Sequence, residues 1–144
     1  MPSLTLAQAS IIVDAALKKG RETSCAPLAV AVLDAGGHLV AFKREDRSGI
    51  MRFDIAFGKA WGALGMGYPT RVLDERAEKY PVFFQMLAVV SQGRMVPAPG
   101  GVLIRDGDGD VIGAVGVSGD SSDKDEVCAV AGIKATGLKP DAGQ

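Results

Sequence analysis

Residues Pro99–Ala131, PGGVLIRDGDGDVIGAVGVSGDSSDKDEVCAVA, join two apolar runs to an acidic helix start. The runs are Val102–Ile104 and Val111–Val117, and Asp106-Gly-Asp-Gly-Asp110 lies between them. Gly and Asp tolerate the left-handed turn conformations that sterics deny other residues, so the spacing predicts a hairpin. Gly113 and Gly116 sit inside the second run. Glycine weakens a strand interior, so this pair signals a tight bend or the close approach of a ligand or another backbone. Ser118-Gly119 ends the strand, and Ser121, Ser122 and Asp123 offer N-cap side chains for a helix. Asp123, Asp125 and Glu126 fill its first turn, where the helix dipole favours negative charge. The unit is strand, turn, strand, elbow, helix.

The chain before it repeats the theme. Thr5 caps a helix over Leu6–Gly20, with Leu6, Ala9, Val13, Ala16 and Leu17 on one face. Leu28–Leu33 reads as a strand buried on both faces, Asp34-Ala-Gly-Gly37 as a turn, and His38–Phe42 as the return strand. A second helix covers Met51–Leu64, and Ala60, Gly62, Ala63 and Gly65 make its far end slim enough for another backbone to pack closely. Tyr68-Pro69-Thr70 breaks it, and Thr70 or Asp74 caps a short polar helix to Lys79. Pro81 starts another helix to Val90, and Met95–Pro99 forms an irregular connection. After the last helix Gly137 leads into a polar tail. Hairpins need antiparallel pairing, so the pattern predicts an antiparallel sheet with helices on both faces.

Bulk composition narrows the partners. The 144 residues are 47% apolar and 23% charged, which is ordinary for one globular domain spanning 1–144. A net charge of −1 provides no basic field for nucleic acid or an anionic membrane. Cys25 and Cys128 lack metal-ligand spacing and read as reduced thiols of a cytoplasmic protein. The start MPSLTLAQAS lacks the basic, continuously apolar character of a secretory signal.

Four segments resemble the GlcG/HbpS-like family, which includes the C-terminal domain of PduO-type adenosyltransferases. They are VLDAGGHLVAFKRED at Val32–Asp46, the AxxKAxxA-type helix at Ala56–Ala63, Tyr68-Pro-Thr70, and GGVLIRDGDGDVIGAVGVSG with DKDEVCAVAG. The resemblance implies an α/β fold of the α+β kind: a profilin-like, three-layer α/β/α sandwich around a five-stranded antiparallel sheet. It also implies homo-oligomers and haem as a bound cofactor, with slow haem degradation. The loop Arg44-Glu-Asp-Arg-Ser48 departs from the Arg-Met-Asp-Gly-Ala common in relatives and makes that mouth more polar.

The chemistry-bearing residues are few. His38 is the one histidine, so any imidazole ligation of haem iron or proton transfer passes through it. Arg44 is an anion clamp by its planar fork, or a solvated surface charge. Lys59, between Phe57 and Trp61, pairs with a carboxylate of a ligand or with Asp125 or Glu126. Gly116, Ser118 and Gly119 form a candidate ligand cradle before a helix start. The acidic turn beyond it disfavours phosphate there. Lys59, Asp125 and Glu126 are then the candidate catalytic set of a cofactor-free enzyme acting by acid/base chemistry on a small carboxylate or hydroxy acid. A structural or chaperone-like role is the third reading. Glu75 and Glu78 have a spacing that can hold ferric iron, or form an ion-paired face with Arg76 and Lys79. Tyr80–Phe84 and Met95–Pro99 read as exposed apolar material suited to self-association.

Several sharper motifs fail. Gly116-Val-Ser-Gly-Asp120 has Asp where a nucleophile elbow needs Gly. The Asp106/Asp108/Asp110 run lacks the turn glycine and bidentate Glu of a calcium loop. The glycine spacing does not fit a dinucleotide fingerprint, and two Cys with one His cannot close a zinc site.

Overall fold

The computed structural model describes residues 3–143; Met1, Pro2 and Gln144 lie outside it. In chain order the elements are α1 (Leu6–Glu22), β1 (Ala29–Asp34), β2 (Leu39–Arg44), α2 (Arg52–Met66), α3 (Thr70–Lys79), α4 (Pro81–Val90), β3 (Gly101–Arg105), β4 (Val111–Ser118), α5 (Ser122–Lys134) and β5 (Lys139–Asp141). The five strands form one antiparallel sheet in the order β2-β1-β4-β3-β5. Helices α1 and α5 cover one face, and α2 with α3 covers the other. The expected mixed α/β, three-layer architecture is present.

Alternation along the central strands explains how the layers differ. Val30 and Val32 of β1, Val102 and Ile104 of β3, and Val115 and Val117 of β4 point to the α1/α5 side and form the main core with Ile12, Val13 and Ile133. Their neighbours Ala29, Ala31, Ala114 and Gly116 point to α2, which answers with Ala56, Ala60 and Ala63. A side-chain carbon on Gly116 would collide with the carbonyl of Ala56, so the sheet accepts the helix backbone itself. Of the glycine pair read from the sequence as a tight bend or a close approach of ligand or backbone, Gly116 meets the backbone of α2, while Gly113 lies against the Leu33 carbonyl and the Leu4 side chain.

Capping follows the sequence in part. Thr5 and Gln8 form a capping box at α1, and the Ser121 hydroxyl accepts from Lys124 N at α5. Thr70 does not cap α3. Its hydroxyl accepts from Gly101 N at 2.7 Å and donates to Gly101 O at 3.2 Å, fastening α3 to the start of β3. The polar tail also departs from expectation, because Lys139–Asp141 pairs with β3 as an edge strand. Arg105 and Asp141 then pair at 2.9 Å across it.

Two further expectations are corrected. Met95–Pro99 is not an exposed strip: Pro99 is buried and the rest half-buried, because Gly58 and Gly62 of α2 receive Arg94 and Met95. Glu75 and Glu78 enter no ion pair among the described residues, since Arg76 lies 4.2 Å over the Tyr68 ring and Lys79 5.5 Å over Tyr80. In contrast, α4 does expose Val82, Phe83, Met86, Val89 and Val90, and buries only Phe84.

Candidate functional site

The end of β4 gathers most of the charged candidates. Lys59 reaches from α2 around that strand end, where its Nζ donates to Val117 O at 2.9 Å and to Asp125 Oδ2 at 3.1 Å. Asp125 Oδ1 accepts from Asp120 N at 3.0 Å. The pair is 3% and 1% exposed by side chain, so it clasps the α2 layer to the α5 layer out of contact with water. Burial lowers the Lys59 pKa and raises that of Asp125, and their mutual attraction opposes both shifts. Gly100, at φ +120°, clears the space: a side-chain carbon there would stand 2.9 Å from Lys59 Nζ.

Glu126 makes a different partnership. Arg71 of α3 donates from Nε to both Glu126 oxygens, at 3.0 and 3.2 Å, and from Nη2 to Asp123. Those carboxylates raise the Arg71 pKa further. The three candidate catalytic residues are thus close in the fold but committed to two separate salt bridges. Ser118, fully buried, accepts from Arg52 Nη1 at 3.1 Å. The space in front of Gly116 is filled by Ala56, and that in front of Gly119 by the Pro27 carbonyl.

His38 lies elsewhere. In the antiparallel register Ala29 faces Ser118 while Asp34 faces Gly113, so the β1–β2 turn is at the opposite end of the sheet. The His38 side chain is 81% exposed, with Nδ1 3.2 Å from Asp34 Oδ1. A carboxylate on one ring nitrogen fixes the other outward, which is the usual arrangement behind an imidazole metal ligand. The ring lies over Gly36, and Gly36, Gly37, Trp61, Leu64 and Gly65 line a hollow of about 190 Å³ beside it. The far side of Trp61 faces an apolar hollow of about 140 Å³ lined by Met66, Leu87, Val90 and Met95. Arg94 stacks on Trp61, its Cζ 4.2 Å from the ring centroid. Arg44 is at the other end again: it pairs with Ala29 in the sheet and borders a charged cleft of about 520 Å³ with Arg21, Glu45 and Asp46.

The model of the family described as haem degrading protein HbpS-like matches residues 4–134. The chain belongs to the HbpS-like family.

It is 30% identical over 129 residues to an uncharacterized 15.0 kDa protein from the dhaT-dhaS intergenic region of Citrobacter freundii, covering 88% of this chain and 87% of that one. Among solved structures it resembles the PduOC:heme complex at 25% identity and a TM-score of 0.88, covering 97% of this chain and 99% of that one. A double mutant of Streptomyces reticuli HbpS superposes with a TM-score of 0.80 at 27% identity, covering 93% of this chain and 87% of that one.

Within this HbpS-like chain, three functional candidates escaped the sequence reading: Arg52, Arg71 and Arg94. Arg52 and Arg71 open α2 and α3, where a cation opposes the helix dipole, and that misfit was the available signal. Arg94 carried none, because its partner Trp61 is distant in the chain. The thiols stay out of the site: Cys25 and Cys128 are both buried, and burial beside Cys25 pushes the Cys128 thiol up to about 12. Asp106, Asp108 and Asp110 cluster at the β3–β4 turn, where Asp106 Oδ1 accepts from the backbone of the other two. No described helix is long and apolar enough to cross a membrane.

Proposed function

We propose that this protein binds haem at the His38–Trp61 end of the sheet. The observation that carries the reading is an imidazole oriented by Asp34 on the lip of a hollow walled by an indole, with a guanidinium stacked on that indole. The donor set fits: Nε2 of His38 is the iron ligand, and Arg94 pairs with a propionate. Membership in a family that includes a haem-bound relative supports the assignment. Bound haem supplies iron redox chemistry; the residues of this chain hold it and set its exposure.

Neither hollow reaches the roughly 300–1,000 Å³ of a pocket that buries most of a drug-sized ligand. A second copy therefore completes the enclosure. The exposed face of α4 supplies the contact, since Leu87 and Val90 already line the far hollow and Val82, Phe83, Met86 and Val89 extend from it.

Titration of the purified protein with haemin, followed by absorbance, tests this. A saturable Soret shift is expected, lost or moved in His38→Ala and unchanged in Arg44→Ala. A nonsaturating spectrum, or identical titrations for wild type and His38→Ala, overturns it. Decay of the Soret band under ascorbate and oxygen would extend the reading to degradation; a stable band would limit it to binding.

A further inference from the structure

The opposite end of α2 carries Arg52, whose field reaches Asp125 without an ion pair forming. Arg52 is half-buried, has five donors, and makes one hydrogen bond among the described residues, to the neutral Ser118 hydroxyl at 3.1 Å. It enters no ion pair among the described residues. The nearest buried carboxylate, Asp125, is committed to Lys59 and to Asp120 N. Glu45 is spent on Arg21 and on Leu28 N. Asp54, two residues along α2, points away as residues at that spacing do. Arg44 stands in the same cross-strand row, since Ala29 pairs with Arg44 on one side and Ser118 on the other, and it too forms no ion pair. Arg44 borders the cleft that Glu45 and Asp46 also line, so the unspent donors at this corner are those of Arg52.

Apolar surface adjoins them. Phe42 and Phe53 meet edge to face at 4.8 Å, Phe57 stands 5.9 Å from Phe53, and all three are only half-buried. Ile50 and Met51, just before Arg52, are 96% and 66% exposed. Ser48, in the same loop, buries a hydroxyl with no hydrogen-bond partner among the described residues.

We propose that this corner binds an amphipathic carboxylate, its anionic head on the remaining donors of Arg52 and its flat apolar body on Phe42 and Phe53. A planar fork matches a carboxylate with two parallel bonds, and desolvation by the phenyl rings strengthens them. The site is separate from the haem reading and does not depend on it. Nine residues of helix, about 13 Å at 1.5 Å per residue, part Arg52 from Trp61. It also relocates the small-carboxylate chemistry expected at Lys59, whose charge Asp125 consumes.

Isothermal titration calorimetry with benzoate, phenylacetate, acetate and benzyl alcohol tests the site on the haem-free protein. Saturable binding is expected for benzoate or phenylacetate and none for benzyl alcohol. Arg52→Gln should weaken it about tenfold, the loss of a charge-assisted bond, and His38→Ala should leave it unchanged. Arg52→Lys keeps the charge without the fork and should fall between, which covers the case in which Arg52→Gln folds poorly. Binding equal in wild type and both Arg52 variants, or no saturable heat with either aromatic acid, overturns the proposal.

Discussion

The two faces of the sheet are assembled on opposite terms. On the α1/α5 face, branched side chains interlock, and the core holds because apolar volume is removed from water. On the α2 face, Ala29, Ala31, Ala114 and Gly116 meet Ala56, Ala60 and Ala63, so the backbones come close there, and Leu33 and Leu103 supply the bulk beside them. One face is stabilised by bulk and the other by proximity. The second arrangement leaves polar groups near the sheet: Lys59 and Arg52 project from α2, and Ser118 from a strand position on its side. The lesson is that a thin interface can carry function because it has less apolar mass to protect.

The strongest test of that contrast is the clasp joining the two layers. Lys59→Ala should lower the free energy of unfolding by about 4 kcal/mol in urea, because it strands a buried carboxylate. Lys59→Met with Asp125→Leu should recover most of the loss. If the double variant is no better than the single one, the pair acts through something other than uncompensated charge.

Side-chain volume gives a smaller effect with a clear sign. Gly116→Ala forces a methyl onto the Ala56 carbonyl and should cost about 3 kcal/mol. Ile104→Val on the other face removes one methylene from a well-packed core and should cost about 1 kcal/mol. Equal costs in denaturant titrations would erase the distinction between the faces.

The smallest expected effect is a difference in pH response. Backbone N–H groups of Ala26 and Ser121 lower the Asp120 pKa, so its contribution is present above the ordinary carboxyl value of 3.8 and is lost as pH falls through the depressed one. Burial raises the Asp125 pKa, so the folded chain keeps that proton at pH values where the unfolded chain has released it. Acidification from the raised value down to 3.8 therefore adds stability through Asp125. Urea midpoints between pH 6 and 3 should fall less steeply in Asp120→Asn than in wild type, and more steeply in Asp125→Asn.

The architecture was readable because period-2 and period-3.6 patterns, and the Gly/Asp turns, are local signals. β5 was not, since Lys139-Pro140-Asp141 has no apolar alternation. It becomes a strand through main-chain pairing to β3 and the Arg105–Asp141 bridge. At the site, the sequence brought Lys59 within reach of either Asp125 or Glu126 without choosing. The choice comes from Arg71, which takes Glu126 and leaves Asp125 to Lys59. The sequence could not say whether His38 and Lys59 share a site, because chain order carries no information about which end of a strand a residue occupies. The antiparallel register separates them.

Pro140 sits in β5 opposite Ile104 and has no N–H to offer a further strand. That margin of the sheet is short and blunted against templated aggregation. The other margin, β2, ends in Lys43, paired with Asp14 at 2.8 Å, and in Arg44, charged side chains of the kind that blunt an edge strand. Neither margin invites sheet extension, so an encounter between two copies of this chain is turned away from a shared sheet and from the first step toward fibrils.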